Sequence, residues 1–231
     1  MGKLFAVVSG KGGTGKSTAA AGVGAALARR GRRVLLVDAD EGLRCLDLIL
    51  GVADKTVFDA GDLLAGNCAA SDAVYPVPDC EGLFLMAAPA VPGQFRDAAL
   101  LRDVCVRLAA LFDDVLLDCP AGVGGGFRTV VSCTPNALVV ANTDPPSLRA
   151  AALVNMLLGQ YGVSHRRLIV NKFTALSVEA GRAPNIDGVI DQTGIRLIGI
   201  VPFDNRIADA AAKGRPLVFG AAASAFDRIA A

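Results

Sequence analysis

The stretch that most constrains this chain comes almost at once: Leu4-Phe5-Ala6-Val7-Val8-Ser9-Gly10-Lys11-Gly12-Gly13-Thr14-Gly15-Lys16-Ser17-Thr18. An apolar, β-favouring run stops at a glycine, crosses a glycine-rich turn and enters an alanine-rich helical stretch at Ser17. Gly10, Gly15, Lys16 and Ser17 satisfy G-x-x-x-x-G-K-[ST], in the strand–loop–helix setting that a phosphate loop needs. The glycines let successive N–H groups turn inward on a polyphosphate, and the following helix adds its positive dipole end. Residues Gly10 to Thr18 (Gly10, Lys11, Gly12, Gly13, Thr14, Gly15, Lys16, Ser17, Thr18) are therefore the candidate nucleotide cradle. Lys16 would neutralise the terminal phosphates and the Ser17 hydroxyl would hold Mg²⁺. A glycine-rich turn that merely packs does not call for all four signature residues in this context.

Length and composition bound the rest. At 231 residues the chain suits one large α/β domain, residues 1–231, with no repeat or linker to suggest a second. Hydrophobic residues make up 53% of it, with a mean hydropathy of +0.48, which raises the question of a membrane span. The apolar runs are broken by Asp, Arg and Gly well before the ~18–20 residues a spanning helix requires. They suit a sheet buried on both faces instead. Gly10 and Lys11 interrupt the first apolar run, so no secretory signal is read. Six cysteines (Cys45, Cys68, Cys80, Cys105, Cys119, Cys133) without C-x-x-C spacing point to a reducing cytoplasm rather than a zinc site or disulfide framework. His165, the single histidine, stands beside Arg166 and Arg167 in an expected loop, with no metal or catalytic role expected of it. A net charge of +1 gives no general attraction to nucleic acid, so DNA is not expected as a partner.

Continuous apolar runs alternating with helical patterns predict a doubly wound, mostly parallel sheet with helices on both faces, the α/β architecture of P-loop NTPases. Helices are expected over 17–30, 57–64, 97–112 (capped by Asp97), 147–159 (capped by Ser147 or Asp144), 185–194, 207–212 and 222–230. Strands are expected at 34–37, 83–87, 115–118, 137–142, 168–172 and 197–201. Gly22 and Gly24 lower helix propensity in the first helix, so close approach to the sheet is the expected compensation. Residues 52–82 carry no clear pattern beyond Pro76, Pro78 and Gly82.

The second lysine narrows the loop further. K-G-G-x-G-K-[ST], with Lys11 directly after Gly10, resembles the deviant Walker A motif of the MinD/ParA family of P-loop ATPases. Asp38-Ala39-Asp40-Glu41-Gly42-Leu43-Arg44 and Asp118-Cys119-Pro120-Ala121-Gly122 are most similar to that family's MinD members, with Cys45 and Cys119 where they carry Asn and a hydroxyl residue. The resemblance implies an ATPase that uses ATP and Mg²⁺ and dimerises when ATP is bound. It implies that Lys11 reaches the partner's phosphates and that Asp40, in switch I, orients the attacking water. Lys11, Lys16 and Asp40 are thus the implied catalytic residues. Ser17, Asp38 and Asp118 are the implied Mg²⁺ environment, Asp118 ending an apolar strand as a Walker B carboxylate does. Asn171 would read the adenine edge, for which an amide has both donor and acceptor. Pro202 and Asp204 would flank the base, and Arg149 would belong to a dimer and partner surface. Cys119 also raises iron–sulfur relatives of this superfamily, although no second cysteine matches theirs.

The function implied is an ATP-switched dimer in division-site placement. A plasmid or chromosome partition ATPase and a flagellar-number ATPase are the alternatives, with a small-molecule ligase or synthetase further off. Family members end in a basic amphipathic helix that inserts in the membrane; Ser224 to Ala231 here lack its Lys/Arg face and bulky stripe. The expectation is a cytoplasmic protein, peripheral to the inner face of the membrane through a partner or through a tail not present in this sequence.

Overall fold

The computed structural model describes residues 2–215 and 221–231. Among them one sheet forms from β1 (Lys3–Val8), β2 (Val34–Asp38), β3 (Tyr75–Pro76), β4 (Leu83–Met86), β5 (Asp114–Asp118), β6 (Asn136–Ala141), β7 (His165–Phe173) and β8 (Leu197–Pro202). Their spatial order is β3-β4-β2-β5-β1-β6-β7-β8, parallel throughout except for the short edge pair β3–β4. The helices are α1 (Lys16–Ala28), α2 (Leu46–Ile49), α3 (Ala60–Ala65), α4 (Ala98–Leu108), α5 (Gly125–Val131), α6 (Pro145–Gln160), α7 (Ala175–Glu179), α8 (Ile186–Thr193), α9 (Asn205–Ala212) and α10 (Ala221–Ile229).

The continuous apolar strands divide their side chains between two cores, as the period-2 pleat requires. Ala6 and Val8 of β1, Leu35 and Val37 of β2, and Val115 and Leu117 of β5 face one core with α4, α5 and α6. Val7, Val34, Leu36 and Leu116 face the other with α1 and α10. Parallel pairing places the C-terminal end of every strand but β3 on one rim, where ligands of such sheets bind.

Helix α1 shows why its sequence is so small. A Cβ on Gly22 would stand 2.4 Å from the Phe226 ring of α10, and one on Gly24 would stand 2.9 Å from Leu36 of β2. Gly24 thus meets the sheet as expected, whereas Gly22 makes its close approach to α10 instead. Gly22→Val should cost about 1–3 kcal/mol by overpacking, read as a lower urea midpoint with an unchanged m-value. A midpoint equal to wild type would show that α10 yields freely. Phe226, Ala222, Ala225 and Ile229 are buried on the same side, so the apolar face of α10 is taken up inside the molecule.

The sequence reading differs from the structure at several boundaries. The helix expected to reach residue 30 ends at Ala28, with Arg29 as its C-cap and left-handed Gly31 (φ 79°) closing the turn; Arg29 pairs with the Asp227 carboxylate of α10 at 2.6 Å and Arg30 donates to the Asp227 carbonyl at 2.8 Å. Helix α4 is shorter than 97–112, and Leu100 and Leu111 of its expected stripe are exposed while Leu101, Cys105 and Leu108 are buried. The expected 57–64 helix starts at Ala60, where Asp59 and Asp62 form a reciprocal capping box. His165 opens β7 rather than lying in a loop, its N–H bonded to the Pro135 carbonyl. Asp144, not Ser147, caps α6, with prolines in the first turn.

Candidate functional site

The candidate site lies where β1 hands the chain to α1. Gly13 and Gly15 take φ of 78° and 85°, left-handed values that a side chain disfavours. Gly10 is needed for a different reason: a Cβ there would stand 2.5 Å from the Ala150 carbonyl oxygen of α6. Gly12 and Gly13 form the open outer limb, with nothing within 4 Å of where a Cβ would stand. Helix α1 begins at Lys16 and no side chain caps its N-terminus. Its first N–H groups are thus left for an anion.

Lys16 reaches beneath the loop to the end of β5, its Nζ 2.6 Å from Asp118 Oδ1; the side chains are 6% and 0% exposed. Burial works against the ammonium, but the Asp118 charge and hydrogen bond outweigh it and hold the Lys16 pKa above the usual lysine value. Burial pushes the Asp118 carboxyl upward, opposed by Lys16 and by a hydrogen bond with Ser17. Asp118 Oδ2 is buried with no hydrogen-bond partner. Native structures rarely leave such an oxygen orphaned. A hard cation fits there, since Ser17 and Asp118 supply the oxygen donors Mg²⁺ prefers. Asp38 lies level with Asp118 on the adjacent strand. Its Oδ1 accepts from the Asp40 N–H at 2.9 Å and its Oδ2 from the Leu46 N–H at 3.0 Å. Burial, reinforced by the Asp118 charge, raises the Asp38 pKa to about 7 against those two bonds. Asp38 thus anchors the segment after β2 and adds to the field around Asp118, each of its oxygens accepting one backbone N–H.

Asp40 is half-buried beyond β2, and burial raises its carboxyl pKa while Lys16 opposes the shift. The next residue, Glu41, escaped the sequence reading. Its carboxylate accepts from the N–H groups of Gly93, Gln94 and Phe95, tying switch I to the loop after β4. Nothing in the sequence spacing signals that contact, which spans fifty residues of chain without a pattern. Lys11 is exposed and its Nζ lies 3.1 Å from Asp144 Oδ1, on the residue that also caps α6. The sequence alone offered no partner for it within the chain.

Beside the loop lies a cleft of about 290 Å³ lined by Gly15, Thr18, Asn171, Lys172, Pro202, Phe203, Asp204 and Ile207. The residues expected around the base are therefore together. Phe203, 56% exposed, and Ile207 were not singled out, although an exposed aromatic at a strand tip was a legible signal. Asp204 caps α9 and is held by Arg206, which lowers its pKa. Arg149 lies apart from the cleft, exposed on α6 next to Pro145 and Pro146. A cleft of about 260 Å³ at the opposite rim, lined by Lys3, Arg32 and Ile229 among others, has no phosphate loop beside it. The Cys119 thiol is 0% exposed in the core above α5, and burial raises its pKa well above the usual thiol value. It faces away from any surface on which a second subunit could share a cluster.

An uncapped helix N-terminus under a glycine loop, a buried Lys–Asp pair and an adjoining cleft define a nucleotide-binding P-loop protein. The chain belongs to the CobQ/CobB/MinD/ParA nucleotide binding domain family, which it matches over residues 5–217. It is 37% identical over 221 residues to the septum site-determining protein MinD of Synechocystis, covering 94% of this chain and 82% of that protein. Among solved structures it is similar to the MinD cell division protein of Aquifex aeolicus, at 31% identity and a TM-score of 0.90, covering 99% of this chain and 94% of that one. The same Aquifex protein in a MinC:MinD complex gives 32% identity and a TM-score of 0.90 over the same shares. MinD of Pyrococcus horikoshii, complexed with Mg-ADP, gives 28% identity and a TM-score of 0.88, covering 100% and 95%.

Proposed function

We propose that this chain is a Mg²⁺-dependent ATPase that switches partners with its nucleotide state and helps place the division septum. The observation that carries the chemistry is Lys16 Nζ 2.6 Å from buried Asp118, whose second oxygen has no partner, below an uncapped helix N-terminus. The biological setting is supported by the septum site-determining relative, matched along most of both chains. A single eight-stranded sheet supports reading residues 1–231 as one domain.

Catalysis of this kind is mostly positioning and charge neutralisation. Lys16 and the loop N–H groups bind the polyphosphate. Ser17 and Asp118 would hold Mg²⁺, which would supply charge neutralisation for the phosphates. Asp40 orients the attacking water; its raised pKa makes it a better proton acceptor than an exposed aspartate. Asn171, Pro202 and Asp204 border the base. The Aquifex structure with MinC supports a protein partner drawn from a division system. Membrane contact is read as made through such a partner or through a tail not present in this sequence, at the inner face of the membrane, with the chain itself cytoplasmic. Among the described residues no helix is long and apolar enough to cross a membrane.

Lys11 is the residue of the ATP-dependent homodimer. Its pairing with Asp144 is half-exposed on both sides, and such surface pairs contribute only about 0–1 kcal/mol. It can therefore be given up at small cost for a partner's triphosphate, offsetting the repulsion between two nucleotide-bearing faces. Light scattering of the Asp40→Ala protein should show a dimer with ATP and a monomer with ADP. An added Lys11→Ala change should return it to monomer. A dimer that survives this change removes Lys11 from the interface. For the cellular role, deleting the gene should misplace septa. Normal septa combined with plasmid or chromosome loss would transfer the protein to partition.

A further inference from the structure

Asn171 and Lys172 end the core of β7, and both reach back to the phosphate loop. Asn171, 4% exposed, donates from Nδ2 to the Thr14 carbonyl at 2.7 Å. Lys172 donates from Nζ to the Gly13 carbonyl at 2.8 Å, from a backbone with φ of 52°. A carbonyl only accepts, so the first bond also fixes which end of the Asn171 amide faces the loop. A left-handed lysine is disfavoured by sterics and persists where its surroundings require it. Packing does not order this limb, since Gly13 has no atom within 4 Å of a would-be Cβ.

The consequence follows from peptide geometry. In a trans peptide unit C=O and N–H point to opposite sides. Holding the carbonyls of Gly13 and Thr14 towards β7 turns the N–H groups of Thr14 and Gly15 away from it, into the hollow of the loop where they can meet phosphate oxygens. We propose that Asn171 and Lys172 are positioning residues that aim the loop amides, so that polyphosphate affinity depends on them apart from any contact with a base. Both also line the base cleft. Occupation of that cleft is thereby coupled to the shape of the phosphate cradle through the same two side chains. The proposal rests on the reading that this loop binds a nucleoside triphosphate.

The test compares Mg-ATP with inorganic tripolyphosphate, which has no base, by titration calorimetry. Asn171→Leu removes the donor without a change of charge and should weaken both ligands alike, by up to about tenfold for one lost bond. Lys172→Met should weaken both in the same direction at about 0.5 M salt, where long-range charge is screened, and Lys172→Arg should restore binding. Lys172 is exposed, so its variants keep the fold and decide the outcome if Asn171→Leu melts early. Weakened ATP with unchanged tripolyphosphate would make both residues readers of the base and overturn the proposal. Wild-type protein that binds neither ligand would overturn the nucleotide reading and this proposal with it.

Discussion

Lys16→Ala is expected to abolish ATP binding, and hydrolysis with it. The expectation follows from where the charge sits. Lys16 is the buried cation at the N-terminus of α1, and its ammonium is held by Asp118 at 2.6 Å. Without it, incoming phosphates would face Asp118, Asp38 and Asp40 with no buried protein cation beside the loop amides and the helix dipole. A unit charge pair at about 4 Å is worth about 4 kcal/mol at an effective dielectric of 20, which is about three decades of affinity. The change also strips a buried carboxylate of its counter-ion, a loss that runs to about 3–5 kcal/mol when the charge cannot be neutralised. The raised Asp118 pKa means that protonation relieves part of this strain. Lys16→Gln separates the two effects, because an amide keeps a donor towards Asp118 while removing the charge. Calorimetry should show no Mg-ATP binding by either variant, and thermal melting should place the glutamine protein nearer wild type. Wild-type affinity in folded Lys16→Gln protein would sink the phosphate-loop assignment.

What the sequence made legible here was whatever local chemistry dictates. The loop glycines, Lys16 and Ser17 could be assigned because backbone conformation, helix dipole and side-chain charge all act within a few residues. Strand cores could be read because a sheet buried on both faces demands unbroken apolar runs, and Val34–Val37 or Val115–Leu117 satisfy no other environment so well. Caps were legible for the same reason, as at Asp97, whose side chain accepts from helix N–H groups as expected. Contacts set by tertiary closure were not. Glu41 receives its N–H groups from residues 93–95, and Lys11 meets Asp144 across 133 positions. Neither pair has a spacing that a sequence pattern could reveal. Helix α5 went unread because it opens on Gly124-Gly125-Gly126, which argues for a turn. Its burial of Phe127, Val130 and Val131 against the sheet overrides that propensity. Asn171 could be placed beside the base by resemblance. That its amide is also committed to the loop could only come from the coordinates.

Asp40→Ala is expected to leave ATP binding near normal while hydrolysis falls by about 10²-fold or more, the scale of a lost acid–base group. The separation arises from geometry on the two sides of the site. Phosphate affinity is supplied by Lys16, the loop amides and the Ser17–Asp118 pair, none of which takes its position from the Asp40 side chain. The Asp40 backbone N–H anchors switch I to Asp38 at 2.9 Å, and alanine retains that N–H. What the substitution removes is a half-buried carboxylate whose pKa is raised by desolvation against the pull of Lys16. Among the site's aspartates it is the one open to solvent: Asp38 and Asp118 are buried, whereas Asp40 is only partly so. Removing one negative charge near the phosphates should, if anything, tighten ATP slightly. Single-turnover measurements at saturating Mg-ATP read the chemical step directly, and Asp40→Asn should fail as badly as alanine, because an amide cannot accept the water's proton. Turnover at the wild-type rate in either variant would show that another group activates the water.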